Sequence, residues 1–163
     1  MKALLGQVGL SLYAAASRAA SPFVARHLRR RAAEGKEDVQ RIPERLGRAT
    51  VPRPSGPVVW MHAASVGEGL SLLPLIVAIR ERWPKVTPLV TTGTATSAAL
   101  MAQRLTPPCV HQFAPVDLPS AVMRFLDHWR PDLALWVESE LWPNTLHALR
   151  QRDVPTILVN ARM

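Results

Sequence analysis

Cysteine occurs once among 163 residues, which excludes a disulfide framework and a zinc site built on thiolates. No set of His, Asp and Glu has metal-ligand spacing, so no metal is expected. Neither a Gly-x-Gly-x-x-Gly nor a Gly-x-x-x-x-Gly-Lys-Ser/Thr run is present, which weakens dinucleotide and P-loop readings. Acidic residues are scarce, 12 against 20 Lys and Arg, for a formal net charge of +8. Long apolar runs are also lacking: the stretch from Ala3 to Ser17 meets Arg18 short of the roughly 20 residues a membrane-spanning helix needs.

What is there is enough for a core. The hydrophobic fraction is 48%, normal for a globular domain and incompatible with wholesale disorder. The charge is uneven. Residues 1–53 hold 11 Lys and Arg against 4 Asp and Glu, net +7; residues 54–163 hold 9 against 8, net +1. Basic character belongs to the first third.

That third opens with Leu4, Leu5, Val8, Leu10, Leu12 and Tyr13, followed by the cluster Arg26, Arg29, Arg30 and Arg31. Positive charge just after an apolar helix suits a flank that faces anionic lipid. Three readings fit residues 1–33: a membrane-associated helix with a basic flank, a cleaved signal peptide, or a soluble amphipathic helix. The first is preferred. The basic run has no interleaved aromatics and no zinc-finger or RNA-binding signature, so no nucleic acid is expected. Residues 34–57 are polar and end in a Pro-rich stretch, which reads as a short helix and a linker.

From residue 58 onward, strands and helices alternate. Val58 to Ala63 is an apolar run of the kind a strand buried on both faces requires. Leu70 to Trp83 has helical spacing. Its Pro74 either lies in the first turn of a helix starting near Ser71 or kinks a longer one, leaving open whether Glu68 is helical. Further strands are expected over 86–91, 110–114, 133–137 and 156–160, with helices over 94–105, 118–129 and 143–152. The alternation implies right-handed crossovers and an open, doubly wound parallel sheet, an α/β domain over residues 58–163.

In such a sheet ligands bind beyond the carboxyl ends of the strands. The unusual polar residues fall there: Ser65-Val66-Gly67-Glu68, then Thr91-Thr92-Gly93-Thr94, Asp117, Glu138-Ser139-Glu140 and Asn160-Ala161-Arg162. Capping of the following helices accounts for part of this, Thr94 and Asp117 included. Glu68 is the sharpest candidate. Gly67 lets a ligand approach the backbone, a first-turn carboxylate is favoured in its ionised form by the helix dipole, and such a group can act as general base. A plain first-turn glutamate is the alternative. Glu138 and Glu140 either bind sugar hydroxyls, orient Arg162, or cap a helix. His62, inside a strand, reads as a packed core residue; His111 and His128 read as structural or exposed.

The ordered segments His62-Ala63-Ala64-Ser65-Val66-Gly67-Glu68, Thr91-Thr92-Gly93-Thr94-Ala95-Thr96, Pro115-Val116-Asp117-Leu118-Pro119, Glu138-Ser139-Glu140-Leu141-Trp142-Pro143-Asn144 and Asn160-Ala161-Arg162 closely resemble the amino-terminal domain of the 3-deoxy-D-manno-octulosonic acid (Kdo) transferases of Gram-negative bacteria. Glu44-Arg45-Leu46-Gly47 resembles that family's approach to the domain. The resemblance implies one Rossmann-like half of a GT-B glycosyltransferase. It implies transfer of Kdo from CMP-Kdo to a hydroxyl of the lipid A precursor, with inversion, no metal, and no cofactor beyond the donor substrate. By the same resemblance Glu68 is the general base, and a membrane-associated amino-terminal helix sits at the cytoplasmic face of the inner membrane. Ser65, Gly67, Thr91, Thr92, Thr94, Glu138, Glu140, Asn160 and Arg162 are the expected substrate-binding residues. The implied partners are the lipid A precursor, anionic inner-membrane lipid, and CMP-Kdo held by a carboxy-terminal domain that these 163 residues do not include. On that expectation they do not catalyse transfer alone. A non-catalytic, membrane-associated glycolipid-binding module of the same fold is the competing reading.

Overall fold

The computed structural model describes residues 2–137 and 142–159. Glu138, Glu140, Asn160 and Arg162 lie outside the described residues. Helix α1 (Lys2–Ala33) leads through a single 3₁₀ turn (Val39–Arg41) into the short α2 (Ile42–Arg45). Then follow β1 (Val58–Ala63), α3 (Val66–Arg82), β2 (Thr87–Thr92), α4 (Ala95–Arg104), β3 (Val110–Phe113), α5 (Pro119–Trp129), β4 (Leu133–Val137), α6 (Pro143–Gln151) and β5 (Thr156–Val159). All neighbouring strands pair in parallel, in the order β3-β2-β1-β4-β5. This is the expected α/β Rossmann-like arrangement preceded by an amino-terminal helix.

The two faces of the sheet follow from the alternation of side chains along a strand. Val58 and Trp60 of β1 join Leu89, Phe125, Trp129, Trp136 and Leu149 in one core cluster, under α5 and α6. Val59, Met61 and Ala63 join Leu72, Ile76, Val90, Met101 and Val137 in the other, under α3 and α4. All six residues of β1 are buried, as suits its place in the middle of the five-strand order.

The structure settles one local reading and changes another. Helix α3 is continuous from Val66, so Pro74 lies in its interior, on the exposed side, and Glu68 is helical, with Ser65 as the N-cap. A helix-interior proline removes one backbone bond, and solvent can take up the freed carbonyl on that side. Residues 34–57, read as short helix and linker, do hold the short α2, but Glu37, Glu44 and Arg45 are buried. The segment is pinned at Gly47, whose φ is +78° and where a Cβ would lie 1.9 Å from the Ala121 carbonyl oxygen. Only glycine lets the turn after α2 press against α5 in that way.

Helix α1 packs along α5 and α6. Leu28 is buried, whereas Leu12 and Phe23 are 67% and 73% exposed and point away from the domain. No described helix is long and apolar enough to cross a membrane.

Candidate active site

The strand order reverses between β1 and β4. From β1 the chain moves outward through β2 and β3, then crosses to β4 and β5 on the other side. Such a switch point leaves a crevice at the carboxyl edge of the two adjacent strands, since their following loops diverge to opposite faces. His62 of β1 lies level with Trp136 of β4 and Thr91 of β2, and Ala63 with Thr92. The turn into α3 therefore rises beside the crevice.

Glu68 stands in that turn, half-buried, at the third position of α3. Ser65 is the N-cap. Its Oγ accepts the Glu68 backbone N–H at 3.3 Å and donates its own hydrogen to Glu68 Oε1 at 2.8 Å. The Ala64 N–H donates to Glu68 Oε2 at 2.7 Å. This is a variant of the capping box, with the carboxylate reaching back one residue further than usual. Each oxygen keeps a lone pair, because an ionised carboxylate offers about four acceptor sites and two are used.

The threonines divide. Thr94 is exposed and caps α4, accepting the Ser97 N–H at 3.1 Å. Thr91 and Thr92 are fully buried. The Thr91 hydroxyl accepts the Trp60 indole hydrogen at 2.8 Å and lies 3.0 Å from His62 Nδ1; the Thr92 hydroxyl is 2.9 Å from His111 Nε2. Both hydroxyls therefore brace the strand ends from inside. Ser65 and Gly67 are exposed at the rim. Gly67 has no positive φ, and a Cβ there would meet nothing within 4 Å, so nothing inside the chain requires glycine.

His62 is the core residue expected. Its ring packs 4.5 Å from Trp142 and 5.0 Å from Trp136, and burial pushes its pKa down to about 3, so it is neutral near pH 7. His111 is pushed down to about 4, by burial first and then by the charge of Arg41. Among the described residues, no group of three or more His, Cys, Asp or Glu is placed to hold a metal ion.

Two features escaped sequence reading. Asp117 does not cap α5, which follows it. It caps α6: Oδ1 accepts the Thr145 N–H and hydroxyl, and Oδ2 accepts the Asn144 N–H and the Tyr13 hydroxyl of α1. The second feature is a buried charge network. Glu44 accepts from Arg41, Thr50 and the Phe113 N–H, while Arg45 grips Glu37 and donates to the carbonyls of Gly93 and Ala114. Arg31 of α1 closes it onto Glu37 at 3.0 Å. The sequence signal for it was the run Glu44-Arg45-Leu46-Gly47, which carries two of those charges but does not name their partners.

A family model described as 3-deoxy-D-manno-octulosonic-acid transferase (kdotransferase) matches residues 40–163. The chain belongs to this family. It is 40% identical over 159 residues to a probable 3-deoxy-D-manno-octulosonic acid transferase, mitochondrial, of Arabidopsis thaliana, covering 98% of this chain and 36% of that one. It is 40% identical over 130 residues to the 3-deoxy-D-manno-octulosonic acid transferase of Rickettsia bellii, covering 79% and 31%. Against the enzyme of the same name from Bordetella pertussis the identity is 36% over 162 residues, covering 95% and 38%. The chain thus spans about a third of the length of the curated relatives it matches. The Kdo-transferase match begins at Gln40, just ahead of α2, so Glu44, Arg45 and Gly47 fall within it.

Proposed function

We propose that this chain is the acceptor-side domain of a glycosyltransferase that moves Kdo from CMP-Kdo to a hydroxyl of the lipid A precursor. Glu68 is its general base. One observation carries the reading: a half-buried carboxylate, held by the Ala64 N–H and the Ser65 hydroxyl, stands at the switch point of a Rossmann-like sheet. In the reaction, a Glu68 oxygen takes the proton from the acceptor hydroxyl. The acceptor oxygen, freed of that proton, bonds to the anomeric carbon of Kdo from the face opposite the nucleotide, and CMP leaves with the electron pair of the broken bond. Ser65, Gly67 and Thr94 line the rim toward the acceptor, and Glu138, Glu140, Asn160 and Arg162, next in sequence after β4 and β5, complete the proposed set of substrate-binding residues. Thr91 and Thr92 act from behind, by holding the strand ends. The donor belongs to a further domain, in keeping with the greater length of the relatives.

Helix α1 supplies the location, the cytoplasmic face of the inner membrane. Its outward Leu12 and Phe23, with Arg18, Arg26, Arg29 and Arg30, suit a helix lying in an anionic interface. Confinement there raises the effective concentration of a lipid acceptor.

The capping geometry of Glu68 favours a second reading, in which the residue only starts α3 and the domain binds glycolipid without chemistry. Glu68→Gln separates the two, because glutamine also serves at this position of a capping box. In a full-length chain containing this domain, turnover with CMP-Kdo and lipid A precursor is expected to fall roughly 10²–10⁴-fold, with the fold retained. Unchanged turnover overturns the base assignment.

A further inference from the structure

Arg45 is buried, at 8% exposure, inside a segment whose composition is that of a linker. Its guanidinium makes contacts no other side chain could combine. Nε and Nη2 hold the Glu37 carboxylate at 3.1 and 3.2 Å, Nη2 also donates to the Gly93 carbonyl, and Nη1 donates to the Ala114 carbonyl at 3.3 Å. Gly93 follows β2 and Ala114 follows β3, so one planar fork ties two strand ends at the carboxyl edge to a fixed anion.

Gly93 in turn rests on the residue that holds Glu68. A Cβ added to Gly93 would lie 3.3 Å from the Ala64 carbonyl oxygen and 3.9 Å from its Cα, so the two backbones are in direct contact. Ala64 gives its N–H to Glu68 Oε2 at 2.7 Å. The links run without a gap from the Arg45 guanidinium to Gly93, to Ala64, to the carboxylate. Burying an ion pair is costly, and a pair used only for packing is replaceable by apolar side chains at little loss. The fork is what an apolar side chain could not replace.

We propose that Arg45 is a positioning residue for Glu68: through Gly93 it fixes the Ala64 amide that aims the carboxylate. The proposal rests on the general-base reading of Glu68. Lysine keeps the charge at position 45 but presents its donors from a single nitrogen, without the planar fork whose separate nitrogens reach Glu37, Gly93 and Ala114.

The test is a double-mutant cycle on turnover in a full-length chain containing this domain, using Arg45→Lys, Glu68→Gln and the pair. Arg45→Lys is expected to lower kcat about 10–100-fold with KM for both substrates within about twofold, as a small misplacement of a reacting group does. In the Glu68→Gln background it is expected to lower kcat by no more than about twofold. A full multiplicative loss in that background, or unchanged kcat in the single variant, overturns the role of Arg45 while leaving Glu68 as base. Unchanged turnover of Glu68→Gln overturns both. Should Arg45→Lys fail to fold, Gly93→Ala reaches the same link from its other end, by displacing Ala64 a few tenths of an ångström. The same cycle then decides: loss confined to the Glu68 background supports the proposal, and loss in both backgrounds overturns it.

Discussion

Asp117 Oδ1 accepts both hydrogens that Thr145 can offer, the backbone N–H at 2.9 Å and the hydroxyl at 2.7 Å. A loop after β3 thereby caps a helix 28 residues further on. Through Oδ2 and Tyr13 the same carboxylate fastens α1.

Asp117→Ala removes the cap of α6 and leaves donors of the buried Asn144 and Thr145 without that partner. The expected cost is about 2–4 kcal/mol, seen as a fall in Tm of roughly 5–15 °C. Asp117→Asn keeps one acceptor oxygen and falls between the two. Equal Tm for wild type and Asp117→Ala would show that the cap contributes nothing.

Gly47→Ala places a methyl group against the Ala121 backbone at a positive φ. Strain and overpacking together should cost about 3 kcal/mol or more, measured by urea unfolding. Since Leu46 accepts two hydrogen bonds from Arg124, a displaced turn also frees that side chain.

Gly67→Ala is expected to behave in the opposite way. Neither φ nor packing resists the methyl group, and alanine favours a helix, so stability should hold or rise by up to about 1 kcal/mol. Turnover of the full-length chain should nevertheless fall at least about tenfold, if a ligand approaches this backbone. A stable variant with full turnover would remove Gly67 from the site.

Two histidines, His62 buried and His111 half-buried, set a pH dependence. Both titrate below their usual value near 6.5 when folded, His111 at about 4 and His62 at about 3. Above 6.5 neither state binds the proton and stability is complete. As pH falls the unfolded chain takes up protons that the folded chain refuses, so stability drops through the window from 6.5 toward 4. Each histidine contributes a slope of about 1.4 kcal/mol per pH unit. Arg41 and Glu44 face His111, and their opposing effects leave burial as the larger cause. Urea midpoints at pH 7, 6 and 5 check the slope, and His111→Gln should make it shallower.

The sheet was legible because apolar runs such as Val58 to Ala63 have one physical explanation, a strand covered on both faces. The sequence leaves the start of α3 open, because Pro74 draws attention to Ser71; the structure begins the helix after Ser65, so the Ser-x-x-Glu capping pattern there outweighs a helix-interior proline. Glu68 at the rim follows from where β1 ends. The roles of Asp117, Glu37 and Arg45 were not legible. Each acts on a partner distant in the chain, and a charged residue in a polar stretch looks the same whether its partner is water or a carbonyl brought in by the fold. Thr91 and Thr92 show the reverse limit, since strand position alone does not say whether a hydroxyl at the end points outward or into the sheet.

Helix α1 is fastened at Tyr13 to Asp117 and at Arg31 to Glu37, points 18 residues and roughly 27 Å apart along its axis. Two moorings that far apart remove the freedom to swivel that a single one would leave. Any surface that seizes the outward side of this rod also dictates the tilt of the β-sheet, and with it the height at which the mouth above β1 rides.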